Sequence, residues 1–269
     1  MENRITQHRK GFQHGITEVT SLNDSTGIRF TIIKLMKGEQ HQLNSPYELA
    51  CLHLNGNCTF SVDQNTYQNN RTSIFDEAPF AIHLPPNHQS TLVANSDVEC
   101  ALFETKNSET FPPIVYTSEM TGNEHRGKGF VDDTSLRFVR TIFDGSNSHP
   151  NTQLVLGEVV NFPGRWSSYP PHHHPQPEIY HYRFTDDRGY GHAELGEEVL
   201  KVRQYDTVKI LDELDHAQCS APGYGMYYIW VIRHLPQVRY TVPEFTEEHR
   251  WTMDSDAQFW KPKVESPVC

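Results

Sequence analysis

The histidines in the segment PPHHHPQPEIY have the spacing of metal ligands. On an extended strand alternate side chains share a face, so we expect His172 and His174 to point the same way and His173 to point oppositely. Two prolines then force a turn that can bring Glu178 beside the two imidazoles. Two imidazoles and one carboxylate leave open positions on a divalent metal, as a catalytic site requires.

A fourth ligand is expected from a distant strand, and His216 is the candidate because it lies in a predicted turn between two later strands. Three histidines and one glutamate suit one divalent transition metal, which could be Zn, Mn, Fe, Ni or Co. The alternative is a solvated histidine cluster on the surface. Glu178 at the required offset and a separate His216 favour the metal site.

The first half of the chain offers a weaker set of ligands, namely His41, Glu48 and His88, without a His-x-His pair. His53 and His83 lie within apolar stretches, where a hydrogen-bonded core histidine is the expected structure. We therefore expect no second metal site there.

The bulk composition describes an acidic, soluble globular chain of 269 residues with 23 basic and 34 acidic side chains, a net charge of −11. Such a surface repels nucleic acid and anionic lipid, so neither is an expected partner. No stretch approaches the ~18 apolar residues of a membrane span, and the polar N-terminus lacks a signal-peptide core. Five cysteines without a CxxC pair argue against a disulfide framework, so we expect a cytoplasmic protein. A homodimer or a higher oligomer remains open.

Short apolar stretches with frequent turn residues predict an all-β fold. Residues 48–68 predict a hairpin with turns at 55–56 and 63–65, and further strands follow up to residue 106. A second strand-rich stretch begins near residue 153. The two stretches have parallel layouts, with His88 and His216 in equivalent turns, which indicates an internal duplication into two tandem β-barrels.

This layout predicts four segments. They are an N-terminal barrel without metal (1–110), a connection with one strand near 136–143 (111–150), a metal-binding barrel (151–240) and a C-terminal segment (241–269). The last segment is polar and aromatic, and we expect it to cover a barrel mouth or to contact another subunit.

Two long segments carry a resemblance to a known family. SSYPPHHHPQPEIYHYRF, followed by YDTVKILDELDHAQCSAPGYGMYYIWVI, resembles the 5-deoxy-glucuronate isomerases of bacterial inositol catabolism. These group with the 4-deoxy-5-ketouronate isomerases of pectin breakdown, and both are double cupins. ELACLHLNGNCTFSVDQNTYQ resembles the metal-free first barrel of that family, so the resemblance extends over residues 25–260.

The resemblance implies a metal-dependent sugar isomerase, an intramolecular oxidoreductase that acts on a small deoxyuronic acid. It carries the metal ligands onto His172, His174, Glu178 and His216. The chain departs from the family pattern at His173, where lysine is common, in the shortened Pro-Gln-Pro turn, at Tyr205 in place of glycine, and at 211–215. These departures change the rim of the pocket and leave the ligands intact.

Such a reaction needs an acid/base group that moves a proton between adjacent carbons. The candidates are Glu178, Tyr182, Tyr169 and Asp206. Of these, Tyr182 shares a strand face with Glu178 because the two positions are four residues apart.

The substrate carboxylate needs a cation, and Arg183, Arg165 and Arg233 are candidates for a bidentate contact. A regular strand would point Arg183 away from Glu178. Tyr169 is a further candidate for contact with the substrate.

Other functions fit the same residues. A 4-deoxy-5-ketouronate isomerase is the nearest alternative. A cupin dioxygenase would use Fe(II) or Cu and consume oxygen, and a non-catalytic sugar-binding cupin would need no ligand set.

Overall fold

The computed structural model describes residues 3–262, and its regular structure is almost entirely β-strand, which confirms the all-β prediction. The earlier strands are β1 (Arg4–Ile5), β2 (Gly15–Thr20), β3 (Ile28–Leu35), β4 (Gln40–Asn44), β5 (Glu48–Val62), β6 (Asn65–Arg71), β7 (Phe80–Leu84), β8 (Gln89–Ala94), β9 (Val98–Thr105) and β10 (Ile114–Tyr116). The later strands are β11 (Glu124–Arg126), β12 (Arg137–Phe143), β13 (Leu154–Asn161), β14 (Trp166–His173), β15 (Glu178–Phe184), β16 (Tyr190–Leu195), β17 (Glu198–Arg203), β18 (Thr207–Ile210), β19 (His216–Ser220), β20 (Met226–Arg233) and β21 (Glu244–Phe245). Short 3₁₀ helices span Ser118–Met120, Val131–Asp133 and Glu247–Met253. Within this part of the chain no helix has the length and apolar character needed to cross a bilayer.

The central strand of the first barrel is β5, a long, bent strand that contributes to both sheets of the barrel. Its first part pairs with β7 and β9, and its second part pairs with β6 and β8. Gly56 lies at the bend with φ of +100°, and a Cβ there would lie 2.1 Å from the carbonyl oxygen of Asp97. The predicted turn at 55–56 is therefore wrong, because the chain bends there without leaving the strand. The predicted turn at 63–65 is confirmed, since Val62 pairs with Asn65 across the hairpin.

The second barrel repeats the pairing of the first. It consists of a seven-stranded sheet in the order β1-β18-β15-β20-β13-β12-β11 and a five-stranded sheet in the order β17-β16-β19-β14-β21. In the first barrel β4 pairs with β8 and β3 lies between β2 and β9, just as β14 pairs with β19 and β13 lies between β12 and β20. This correspondence supports the internal duplication.

The segment 111–150, predicted as a connection, contributes strands to both barrels. β10 pairs with β7 of the first barrel, whereas β11 and β12 form the edge of the seven-stranded sheet. The strand predicted at 136–143 is β12. At the other end of the chain, β1 pairs with β18 of the second barrel, so each barrel takes an edge strand from outside its own compact run of sequence.

The strands of the second barrel are apolar on both faces because each face packs against a hydrophobic core. One face fills the interior of that barrel, and the other packs against the first barrel through Phe30, Leu52, Phe103, Leu154, Ile179 and Ile229. On β15 this alternation directs Glu178, Tyr180 and Tyr182 into the second barrel, and it directs Ile179 towards the first barrel.

The histidines predicted in the core of the first barrel are buried and hydrogen-bonded. His53 donates from Nε2 to the carbonyl of Asn55 (3.0 Å), and its Nδ1 accepts from the amide of Asn69 (2.7 Å). His83 pairs through Nε2 with buried Glu48 (2.8 Å). Glu48 is thus engaged in the core, and His88 contacts Asp63 near the surface (2.9 Å).

Burial lowers the pKa of His53 to about 4. The unfolded chain binds this proton near pH 6.5, so stability should be lost as the pH falls from 6.5 towards 4. Between pH 7 and pH 5 we expect the wild-type protein to lose about 2 kcal/mol more free energy of unfolding than His53→Gln loses. Urea denaturation of both proteins at the two pH values measures this difference. Equal losses in the two proteins would show that His53 does not titrate on unfolding.

Candidate metal centre and substrate cavity

Three of the predicted ligands form one buried cluster in the second barrel. His174 follows β14, Glu178 opens β15 and His216 opens β19. Oε2 of Glu178 lies 3.1 Å from Nε2 of His174 and 3.5 Å from Nε2 of His216. One ligand atom from each residue lies within 4.8 Å of the other two, which is the spacing of a shared ion.

Backbone carbonyls orient both imidazoles of this cluster. Nδ1 of His174 donates to the carbonyl of Gln176 (2.9 Å), and Nδ1 of His216 donates to the carbonyl of Leu214 (3.0 Å). Each Nε2 is then the free, basic nitrogen, which is the usual arrangement around a metal-bound histidine. Nε2 of His216 is buried and makes no hydrogen bond within the described chain. The cluster therefore fits a divalent cation.

His172 lies beside this cluster and not inside it. Its ring centroid is 4.3 Å from that of His216 but 6.5 Å from that of His174. Its Nδ1 is buried and makes no hydrogen bond within residues 3–262, and burial lowers its pKa well below the usual value. His172 is thus held neutral at the edge of the cluster, and its role as fourth ligand stays a prediction.

His173 points away from the cluster, as strand alternation requires. Its Nδ1 pairs with the carboxylate of Asp215 (2.7 Å), which lies in the turn where the chain departs from the family pattern. This pair links β14 to the residue that precedes His216.

The charge state of Glu178 suits a ligand. Burial acts to raise the pKa of this carboxyl, but the adjacent imidazoles of His174 and His216 outweigh it and hold the pKa below its usual value. The carboxylate is therefore ionised at neutral pH.

The cluster opens into a cavity of about 470 Å³, which is within the range of small-ligand pockets. Its walls come from β12 and β14, from Tyr240 and from the C-terminal segment that follows it, including Phe245. The segment is held there because β21 pairs with β14. The ring of Phe245 lies 5.9 Å from that of His172, so the C-terminal segment forms part of the cavity wall.

A group of hydroxyls lines the cavity beside the cluster. The phenol of Tyr228 hydrogen-bonds to the hydroxyls of Ser167 (2.6 Å) and Ser168 (3.1 Å), and Ser168 also contacts the phenol of Tyr180 (3.3 Å). Burial raises the pKa of both phenols, so both stay protonated at neutral pH. The sequence signal for this group was the Ser-Ser pair of the resemblance and the position of Tyr180 on the strand face of Glu178.

The two tyrosines predicted at the site occupy different environments. Tyr169 lines the cavity and packs against Trp166, with ring centroids 5.5 Å apart. Tyr182 faces the barrel interior as alternation predicts, but it lies one strand repeat deeper, and its phenol donates to Gln218. Burial raises the pKa of Tyr182 well above its usual value.

The arginines and the aspartate named from the sequence lie outside the cavity lining. Arg183 faces the first barrel, where it pairs with Glu99, and Asp206 is buried beneath Arg9 (2.6 Å). Arg165 donates to the carbonyl of Asp133 (2.8 Å), and Arg233 donates to that of Thr26 (2.8 Å). The positions of Arg183 and Arg165 therefore give no support to their predicted substrate contacts.

Two other arginines line the cavity, and no sequence signal singled them out. Arg126 on β11 pairs with Glu124 (2.6 Å), and its neighbour across the strand pair is Arg137 on β12. Both belong to the segment that the sequence predicted as a connection.

Two similar barrels, one of which contains a buried histidine and glutamate cluster at the head of a cavity, define a double cupin. The model of the KduI/IolB family matches residues 3–252, so the chain belongs to that family. Family membership and the names of its relatives make it an enzyme of the sugar isomerase class, as the sequence resemblance predicted.

The chain is 28% identical over 203 residues to the 5-deoxy-glucuronate isomerase of Bacillus subtilis strain 168, covering 74% of this chain and 73% of that protein. It is 26% identical over 272 residues to the enzyme of the same name from Geobacillus kaustophilus, covering 93% and 95%.

Among solved structures, an IolB-like protein from Salmonella typhimurium superposes with a TM-score of 0.78 at 22% identity, covering 90% of this chain and 96% of that one. An oxalate decarboxylase from Bacillus subtilis superposes with a TM-score of 0.65 at 10% identity, covering 90% and 78%. At these identities the structures establish the fold alone.

Proposed function

We propose that this protein is a metal-dependent aldose–ketose isomerase that converts 5-deoxy-glucuronate to 5-dehydro-2-deoxy-gluconate in inositol catabolism. The observation that carries the proposal is the cluster of His174, Glu178 and His216 beside a hydroxyl-lined cavity. The names of the relatives supply the substrate.

His174, Glu178 and His216 would hold one divalent transition metal, with His172 as the fourth ligand. The ion would act as a Lewis acid and stabilise the negative charge that develops on the substrate oxygens during proton transfer. Aldose–ketose isomerisation moves the proton on C2 to C1 and the hydroxyl proton on O2 to O1, so no external oxidant or reductant is needed.

Side chains of the cavity would bind the sugar and transfer the proton. The protonated phenols of Tyr180 and Tyr228 can donate hydrogen bonds to sugar oxygens, and Ser167 and Ser168 orient them. We assign the carbon-to-carbon proton transfer to Glu178, which lies in the cavity wall. Tyr182 lies behind that wall, where its bond to Gln218 supports the barrel interior.

The test is an isomerase assay on 5-deoxy-glucuronate beside 4-deoxy-5-ketouronate, with metal analysis and oxygen uptake measured on the same sample. We expect turnover of the first substrate, about one metal ion per chain and no oxygen consumption. Faster turnover of 4-deoxy-5-ketouronate would reassign the substrate. Oxygen uptake without isomerisation would show a dioxygenase, and no turnover of either compound would overturn the isomerase proposal.

A further inference from the structure

Arg137 differs from the other buried arginines of the second barrel and of its interface with the first barrel, because the others pair with carboxylates. Arg71 and Arg140 share the carboxylate of Glu158, and Arg183 pairs with Glu99. Arg137 is only 5% exposed, yet no carboxylate within the described chain lies within ion-pair distance of it. A buried cation without a counter-ion is costly to maintain, so the burial of Arg137 favours an anionic ligand in the cavity.

The guanidinium of Arg137 has N–H groups that make no hydrogen bond within the described residues. Arg137 shares the inward face of β12 with Val139, and both residues line the cavity. Nη1 donates to the carbonyl of Ser135 (2.8 Å), and Nη2 donates to the carbonyl of Tyr169 (3.4 Å). Nε is buried and makes no hydrogen bond within residues 3–262. Nη1 and Nη2 each keep one further N–H that makes no hydrogen bond within the described residues, and these two donors can serve a bidentate ligand.

The same cavity contains the candidate metal centre. Arg137, His174 and Glu178 all line it. A ligand in this cavity can therefore meet the guanidinium and the histidine cluster at the same time.

We propose that Arg137 is the anion subsite of the cavity and holds the carboxylate of a small sugar acid through a bidentate contact. The planar fork of an arginine matches a carboxylate, and the contact is strong where water is excluded. The proposal deepens the proposed function, on which it rests for the identity of the sugar acid. According to this proposal, Arg137 on β12 makes the protein prefer sugar acids to neutral sugars.

Arg137 is positively charged at neutral pH. Burial lowers its pKa to about 10, which still leaves the guanidinium protonated at neutral pH. Arg126, its cross-strand neighbour, is paired with Glu124, so the unpaired positive charge in this wall belongs to Arg137.

The first test uses the unmodified, metal-loaded protein, with D-glucuronate and its neutral amide, D-glucuronamide, as calorimetric probes. We expect glucuronate to bind roughly 10–100-fold more tightly, because only the acid can form the charge-assisted pair. Equal affinities for the two probes would overturn the proposal, and this measurement involves no variant that could fail to fold.

The second test compares Arg137→Gln and Arg137→Lys with Arg165→Gln. Arg165 is a matched control, since its guanidinium donates to a backbone carbonyl and does not line the cavity. We expect Arg137→Gln to lose the preference for glucuronate and Arg137→Lys to recover part of it, with Arg165→Gln unchanged. Arg137→Gln that binds glucuronate as tightly as the wild type would assign the carboxylate to another group, such as the metal.

Binding and turnover separate the two proposals. Loss of acid preference in Arg137→Gln supports the anion subsite even if 5-deoxy-glucuronate is not turned over. Isomerase turnover that is equal in wild type and Arg137→Gln would keep the proposed function and remove Arg137 from substrate binding.

Discussion

Replacement of His174 by alanine should remove the bound metal and the isomerase activity together. His174 supplies an Nε2 that is oriented by the carbonyl of Gln176 and lies 3.1 Å from Glu178. Loss of a residue that merely orients a ligand costs about 10–100-fold in metal affinity or activity, so loss of the ligand itself should cost at least roughly 100-fold. Metal analysis by mass spectrometry and turnover of 5-deoxy-glucuronate measure the two losses on one preparation.

The adjacent histidine provides the matched control. His173 points out of the cluster and pairs with Asp215, so His173→Ala should keep the metal and turn over substrate close to the wild-type rate. The assignment of the metal centre fails if His174→Ala retains its metal and full turnover. It also fails if His173→Ala loses metal as completely as His174→Ala does.

Replacement of Glu158 by glutamine should strongly destabilise the joint between the barrels. This carboxylate is fully buried and accepts from Arg71 (2.6 Å) of the first barrel, from Arg140 (2.9 Å) and from the phenol of Tyr227 (2.7 Å). The amide keeps the shape but leaves two buried guanidinium groups without a counter-ion. Breaking such a buried set costs about 3–5 kcal/mol.

For a chain of this size that loss corresponds to a fall in Tm of roughly 10 °C, which differential scanning calorimetry measures. Glu247→Gln is the control, because Glu247 forms an exposed pair with Arg250 and its side chain is 87% exposed. Its Tm should stay close to that of the wild type. A Glu158→Gln protein with unchanged Tm would show that the two arginines are stabilised by other partners.

The geometry of the candidate metal centre could be predicted from the sequence only where it depends on residues that are close together in the chain. Strand alternation places His173 on the opposite side from the cluster, and the proline-rich turn brings Glu178 back beside His174. His216 was assigned as a histidine in a turn between strands, and the pairing of β19 with β14 places it opposite His172. Local spacing could not establish how far His172 lies from the other three.

Strand alternation predicted which side chains of β15 face the barrel interior, but it could not predict which of them line the cavity. It assigned Tyr182 to the face of Glu178, which is what β15 shows, and it pointed Arg183 away. Alternation does not report depth along the barrel, where successive inward residues are about 7 Å apart. Tyr180 therefore lines the cavity, and Tyr182 lies behind it.

The sequence by itself determined the strand-rich duplicated fold, the face on which each residue of β15 lies, and the residue types of the buried histidine and glutamate cluster. These depend on a two-residue period and on turn residues, which are local properties of the chain. Only the tertiary structure decided that β12 forms a wall of the cavity and that Arg137 lines it with no carboxylate of residues 3–262 within ion-pair distance. Pairing between distant strands determines which strands line the cavity and which charged side chains lie beside a counter-ion. Residue spacing within a short segment predicts neither of these.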